Sequence, residues 1–220
     1  MKRKGGHGMK KMNFLGFFTL FLPAMLFAQD KIEAPVWNVG DKWVFTAGSI
    51  EIVSADPKSY TLKFSDDICI QERQGLNVII FDKSTLNRIY ALEGNKRKKY
   101  TRGRAKILNF PIFAGKKWEY AYSAPALYGL AGSLREECDY NESFKVLSWE
   151  DIDVPAGKFK TVKMEYLRPT IRCTYAPALD VKSTTFYWYS PEAQYFVKAK
   201  YDFRSEEVKD WELISFKLKK

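Results

Sequence analysis

Apolar and polar residues alternate along many short segments of this chain, and this alternation limits the fold more than any other feature. Successive side chains of a β-strand point to opposite faces of a sheet, so alternation gathers the apolar set on one face. The clearest apolar sets are Tyr60, Leu62 and Phe64; Trp118, Tyr120 and Tyr122; Val162, Met164 and Tyr166; and Val197, Ala199, Tyr201 and Phe203. The pattern predicts a chain that is almost entirely β-strand.

Turn-forming residues separate these segments. Gly, Pro, Asn, Asp and Ser cluster at 55–59, 73–75, 93–95, 155–157 and 190–192, where they favour tight turns. Many short strands at regular spacing are typical of sandwiches and barrels rather than of alternating strands and helices. We therefore expect an all-β fold with little helix, either an antiparallel open barrel (half-barrel) or a two-sheet β-sandwich.

The first 28 residues have the layout of a secretory signal peptide. A basic stretch, 1–13, precedes an apolar run from Phe14 to Ala28. This run is shorter than the roughly 20 residues that a membrane-spanning helix needs. We expect cleavage after Ala28, a periplasmic or secreted protein, and no transmembrane segment after cleavage. Either Met1 or Met9 fits as the start, because a compact signal also begins at Met9.

The expected organisation is a signal peptide at 1–28, an N-terminal lead-in at 29–36 and one β-barrel-like domain at 37–220. Five of the 36 Lys and Arg residues and none of the 26 Asp and Glu residues lie in 1–28, so cleavage lowers the net charge from +10 to +5. Such a modest excess favours anionic envelope polymers over nucleic acid as partners.

Cleavage also removes His7, which is the single histidine of the chain. The remaining residues then contain no imidazole that could act as a base or bind a metal ion. The sequence also lacks a glycine-rich phosphate loop, a zinc-type cysteine spacing and a nucleophile elbow. We expect no catalytic residue, no cofactor and no metal site, and we do not assign an enzymatic activity.

A basic segment holds the candidate anion-binding residues Lys96, Arg97, Lys98, Lys99, Arg102 and Arg104. It follows a turn at 93–95 and is expected to form a strand and a loop at the edge of the sheet. Lysines on an edge strand commonly protect it against aggregation, which is the structural alternative to a polyanion footprint. Its single aromatic residue, Tyr100, argues against nucleic-acid stacking.

Aromatic residues supply the candidate ligand-binding positions, which are Tyr187, Trp188, Tyr189 and Trp118. In a strand, Trp188 faces away from Tyr187 and Tyr189, so both faces of this segment carry rings. Flat rings with polar edges suit sugar rings or lipid chains at a barrel mouth. Core packing on both faces is the alternative.

Three cysteines in an exported chain suggest one disulfide and one remaining thiol. Strands that flank the turn at 155–157 can pair so that the two residue numbers sum to about 311. That register places Cys138 opposite Cys173, and we predict a disulfide between them. No role is assigned to Cys69.

One sequence pattern occurs twice, 75 positions apart. Gly40 precedes Trp43 in the first copy and Gly115 precedes Trp118 in the second. In each copy we expect the glycine to adopt an unusual backbone angle before a strand, and the tryptophan to point inward.

The segments 109–118, 150–164, 185–192, 195–198 and 211–216 resemble uncharacterised bacterial exported β-proteins of the TapB-like type. This resemblance implies a partly open barrel similar to that of periplasmic lipoprotein carriers, and it supplies no catalytic residue.

These observations favour a non-catalytic envelope module that binds an apolar or amphipathic ligand such as a lipid or an acyl group. The alternatives are a carbohydrate- or peptidoglycan-associated protein, including one that cleaves glycans with two carboxylates, and a structural scaffold without a ligand.

Overall fold

The structure is a computed structural model that describes residues 31–65, 76–93, 96–99, 102–103, 106–128, 134–173, 183–202 and 209–219. These ranges contain no helix, and therefore none that could cross a membrane. Their strands are β1 (Lys42–Phe45), β2 (Gly48–Ala55), β3 (Ser59–Ser65), β4 (Leu76–Asp82), β5 (Arg88–Glu93), β6 (Lys96–Lys99), β7 (Arg102–Gly103), β8 (Lys117–Tyr128), β9 (Leu134–Val154), β10 (Gly157–Cys173), β11 (Ser183–Ser190), β12 (Tyr195–Tyr201) and β13 (Trp211–Lys217).

The described strands form one antiparallel sheet of 13 strands in the order β6-β5-β4-β3-β2-β1-β13-β12-β11-β10-β9-β8-β7. Each half of the chain runs as a meander, and the halves join where β1 pairs with β13. The predicted all-β, open antiparallel fold is confirmed. The described strands belong to one continuous sheet rather than to the two sheets of a sandwich.

The two edges of this sheet are adjacent in the chain. Strands β6 and β7 are separated by only two residues, so the Cα atoms of Lys99 and Arg102 lie at most about 11 Å apart. Strand β6 also approaches β8, with Cα atoms within 8 Å. The sheet therefore curls until its ends meet, although no ladder between described residues closes it into a barrel.

The predicted edge position of the basic segment is confirmed. Lys96, Arg97, Lys98 and Lys99 form β6 at one edge, and Arg102 begins β7 at the other. Arg104 lies outside the described residues, as does Cys69.

The repeated glycine-tryptophan pattern also folds as expected. Gly40 and Gly115 have φ angles of 91° and 83°, which a residue with a Cβ atom adopts at a conformational cost. The tryptophans that follow, Trp43 and Trp118, are 0% and 7% exposed. Each half of the sheet therefore begins with the same turn and the same inward ring.

Alternation places the core on the concave face of the curled sheet. In β3, the side chains of Tyr60, Leu62 and Phe64 are buried at 1%, 0% and 5% exposure. Aromatic rings meet across the interior, as where Trp37 lies 5.5 Å from Tyr60 and 6.0 Å from Tyr195, centroid to centroid. The described interior is therefore packed with side chains.

The β9–β10 hairpin has the predicted register. Val154 pairs with Gly157 beside the turn, and Cys138 pairs with Cys173 at the far end, so both pairs sum to 311. An irregularity after Lys163 shifts the sum by one, and a second after Leu167 restores it. The backbones of the two cysteines are thus direct cross-strand partners.

Candidate functional site

Three of the aromatic ligand candidates lie in the core. Tyr187 and Tyr189 are 0% and 1% exposed. Trp118 stacks on Phe144 with ring centroids 5.0 Å apart, and its indole nitrogen donates a hydrogen bond to the carbonyl of Lys106. None of these three rings forms an exposed stacking platform.

The fourth candidate, Trp188, lies on the opposite face of the sheet among four charged residues. We name them the charged ladder: Glu150, Lys163, Lys198 and Glu212. Its ring lies 5.2 Å from Lys163 Nζ and 5.7 Å from Lys198 Nζ. Its Nε1 donates to Glu150 at 3.0 Å, and Lys198 pairs with Glu212 at 2.6 Å. Lysines and carboxylates thus cover Trp188 and satisfy its polar edge.

The charged ladder also lowers the pKa of Glu150. Burial acts to raise the pKa of Glu150, but the hydrogen bond from Trp188 and the charge of Lys163 outweigh it, so the pKa lies below its ordinary value. A carboxylate with a lowered pKa stabilises the folded state above its ordinary pKa, and this contribution disappears as pH falls through the lowered one. Glu150 should therefore contribute less to the stability of the folded state at acid pH.

The described residues also form a polar pocket on three neighbouring strands, which we name the β8–β10 pocket. Its volume is about 390 Å³, and it is lined by Ala121, Tyr122, Ser123, Asp139, Tyr140, Asn141 and Arg172. Ser123 Oγ donates to Asp139 Oδ1 at 2.5 Å. The register of β9 and β10 sets Arg172 directly opposite Asp139.

Two buried tyrosines lie behind this pocket, on the core face of the strands. Tyr122 and Tyr140 are cross-strand partners and stack with ring centroids 4.8 Å apart at an angle of 9°. The side chains that the pocket exposes are therefore polar: the guanidinium group of Arg172, the carboxylate of Asp139 and the amide of Asn141. Such a set can donate and accept several hydrogen bonds at once.

A buried carboxylate holds Tyr122 from behind. Glu142 is 1% exposed, and it accepts hydrogen bonds from the hydroxyls of Tyr120 at 2.5 Å and Tyr122 at 3.1 Å. Burial and then the charge of Glu142 raise the pKa of Tyr120, while Arg88 acts in the opposite direction. Arg88 is itself 2% exposed and comes from the other half of the sheet. A buried charged cluster thus supports the pocket.

The two carboxylates nearest the β8–β10 pocket, Asp139 and Glu142, do not face each other. Asp139 and Glu142 occupy β9 three positions apart and so point to opposite faces. Asp151 and Asp153 are both exposed. Among the described residues, no group of three or more His, Cys, Asp or Glu side chains could hold a metal ion.

The sequence analysis did not select the residues of this site, although the sequence indicates two of them. Glu142 interrupts the apolar set of Tyr140 and Phe144, which marks a charge on a core face. The expectation that paired residue numbers beside the turn at 155–157 sum to about 311 already pairs Arg172 with Asp139. Nothing local identifies Arg88, because its neighbours in space come from the distant half of the chain.

No protein-family model and no curated protein matches this chain. It is similar to a solved structure from Bacteroides fragilis NCTC 9343, named as a candidate exported protein with a YmcC-like fold. The two are 13% identical, with a TM-score of 0.40, and the match covers 86% of this chain and 100% of the other. A likeness this distant supports no statement about family or function, and the resemblance to TapB-like proteins stays a prediction.

Proposed function

We propose that this chain is an exported, non-catalytic binding protein of the cell envelope that holds a saccharide in the β8–β10 pocket. The signal-peptide layout of residues 1–28 supports export. The pocket itself is the observation that carries the binding role, because Arg172, Asp139 and Asn141 offer hydrogen-bond donors and acceptors on its exposed side. Convergent groups that both donate and accept hydrogen bonds are suited to the hydroxyl groups of a sugar.

A saccharide fits the described residues better than the apolar ligand that composition favours. Aromatic side chains occupy the interior in which a lipid or acyl chain would lie. The volume of about 390 Å³ is near the lower end of the roughly 300–1,000 Å³ range of ligand pockets. A compact, polar ligand is therefore the better occupant.

Replacing Arg172 with alanine tests this proposal. Loss of a charged hydrogen-bond donor should weaken binding of soluble peptidoglycan fragments by roughly 10- to 100-fold, measured by titration calorimetry on residues 29–220. Lys145→Ala is the matched control, because Lys145 is an exposed cation on β9 outside the pocket. Equal binding by both variants, or displacement of a hydrophobic dye by lipids without any sugar binding, would contradict the proposal.

We also propose that the basic edge strands contribute a salt-dependent attraction to anionic envelope polymers. Lys96–Lys99 and Arg102 lie on neighbouring edges of the curled sheet, and salt screens exposed charges over about 10 Å at 0.1 M. Retention on polyanionic envelope polymers should therefore fall at high salt, whereas sugar binding in the β8–β10 pocket should persist.

The direct pairing of Cys138 with Cys173 supports the proposed disulfide. We expect protein purified without reductant to be two hydrogen atoms lighter than the reduced chain, and to carry one alkylated cysteine after iodoacetamide treatment under denaturing conditions. Cys138→Ser should abolish the mass difference, whereas Cys69→Ser should preserve it. Three alkylated cysteines in the unreduced protein would refute the bond.

A further inference from the structure

The register of the β9–β10 hairpin places the predicted disulfide beside the β8–β10 pocket. Cys138 pairs with Cys173, and the next pair along the ladder is Asp139 with Arg172. Successive residues of a strand lie about 3.3 Å apart along its axis. Because Asp139 and Arg172 both line the pocket, the disulfide would join the two strands one residue away from them.

Arg172 belongs to a short end segment of β10. An irregularity after Leu167 interrupts the ladder with β9, which resumes at Thr170 and ends with Cys173. Pro169 lies within the interruption and has no N–H group to donate to a neighbouring strand. We name residues 170–173 the end segment. The interruption separates the end segment from the long ladder that begins at the turn.

Within the described residues, the end segment is paired on one side only. β10 pairs with β11 as far as Arg168, which lies opposite Ser183, and beyond that point it pairs with β9. Ser183 is the first residue of β11. A strand end that is paired on one side opens more readily than the centre of a sheet, because fewer backbone hydrogen bonds must break. Backbone pairing alone therefore holds Arg172 weakly.

The pocket residues on β9 are held more firmly than Arg172. Asp139 and Asn141 are paired on their other side with Ser123 and Ala121 of β8. Ser123 also donates a hydrogen bond to the carboxylate of Asp139 at 2.5 Å. These contacts do not involve the end segment, so they persist when it opens. Among the polar groups of the pocket, the guanidinium group of Arg172 is the one that the end segment positions.

A disulfide at the last pair of the ladder would keep the end segment on β9. Directly opposed Cβ atoms in a sheet lie about 4.5–5.5 Å apart, near the roughly 3.5–4.5 Å that a disulfide spans. A bond between Cys138 and Cys173 limits the conformations that the opened segment can reach, and so disfavours opening. The opened state is the one in which Arg172 leaves its place opposite Asp139.

We infer that a disulfide between Cys138 and Cys173 positions Arg172, so that the β8–β10 pocket binds its ligand tightly only in the oxidised protein. This inference rests on the proposed function of that pocket. On oxidation each thiol loses one hydrogen atom and one S–S bond forms, while a disulfide-bearing oxidant takes up two electrons and two protons and becomes two thiols. Disulfides persist in oxidising compartments outside the cytosol. The pocket therefore becomes competent to bind after export.

Titration calorimetry with soluble peptidoglycan fragments tests the inference on residues 29–220. The chain oxidised with glutathione disulfide should bind roughly 10- to 100-fold more tightly than the chain kept reduced by a phosphine. In Arg172→Ala the two redox states should bind equally, since the group that the disulfide positions is absent. Cys173→Ser should bind like the reduced chain under both conditions. Cys69→Ser is the matched control and should keep the full redox dependence.

Trypsin cleavage provides a measurement that does not depend on sugar binding. Cleavage after Arg172 should be at least roughly tenfold faster in the reduced chain, because the end segment must leave β9 to enter the protease. Cleavage after Lys160, in the part of β10 nearer the turn, should proceed equally in both states and so controls for unfolding of the whole sheet. Both samples are reduced after quenching, so that the fragments can be compared by mass.

The results separate failure of this inference from failure of the proposed function. In a protein that binds the sugar, equal affinity of the two redox states would overturn the inference, as would redox dependence that persists in Arg172→Ala. Equal rates of cleavage after Arg172, or an unchanged mass on reduction, would also overturn it. If neither state binds the sugar, the proposed function fails, and the cleavage rates alone decide whether the disulfide positions Arg172.

Discussion

Replacing Trp43 with alanine is expected to lower the free energy of unfolding by about 3–5 kcal/mol. Trp43 is 0% exposed, and its ring centroid lies 5.1 Å from that of Tyr195 and 6.1 Å from that of Trp37. Alanine would leave a large cavity among rings that have little room to collapse. It would also remove the donor to the carbonyl of Ala193.

Urea denaturation followed by far-ultraviolet circular dichroism measures this effect. Trp43→Phe keeps an aromatic ring and loses the N–H, so we expect a smaller loss of about 1–3 kcal/mol. Val36→Ala is the control, because Val36 is an apolar side chain that is 69% exposed; its effect should stay within about 0.5 kcal/mol. A loss for Trp43→Ala as small as that of the control would show that the ring does not support the core.

The local parts of this fold could be predicted from the sequence. The turn at 155–157 sets the pairing of the strands beside it, and the resulting rule holds as far as Cys138 and Cys173. The sum of 311 is kept at both ends because the register shift after Lys163 is reversed after Leu167. The turn alone does not predict these two shifts. The backbone conformation of Gly40 and Gly115 could also be predicted, because each glycine forms a turn close before its own strand.

Pairings between distant segments could not be predicted in this way. The join of β1 with β13 makes the sheet continuous, yet its partners lie at opposite ends of the chain. The lead-in 29–36 has no periodic pattern, although Ile32 is 7% exposed and pairs with Ile112. Its burial depends on tertiary contacts rather than on local propensity.

The aromatic residues illustrate the same limit at the candidate sites. Alternation correctly places Trp188 on the opposite face of the sheet from Tyr187 and Tyr189. It does not show whether a ring on either face packs against other side chains or binds a ligand. The cover over Trp188 comes from Lys163 and Lys198 on the two strands that flank β11. Only the strand order brings those lysines together, so the distinction requires the tertiary structure.

Replacing Glu142 with alanine is expected to lower the free energy of unfolding by about 3–5 kcal/mol. The hydroxyls of Tyr120 and Tyr122 would lose the carboxylate that accepts their hydrogen bonds. The buried cation of Arg88, which acts on the same Tyr120 hydroxyl, would also lose a nearby negative charge. Glu119→Ala, at an exposed position on the neighbouring strand β8, should change the free energy by less than about 0.5 kcal/mol.

A double substitution distinguishes charge from packing in this cluster. If Arg88 and Glu142 stabilise each other across the interior, the variant that combines Arg88→Met with Glu142→Leu should lose less free energy of unfolding than the two single variants lose in sum. Strict additivity in urea denaturation would mean that the two groups act separately. Because Glu142 also holds Tyr122 in the β8–β10 pocket, Glu142→Gln should weaken saccharide binding there.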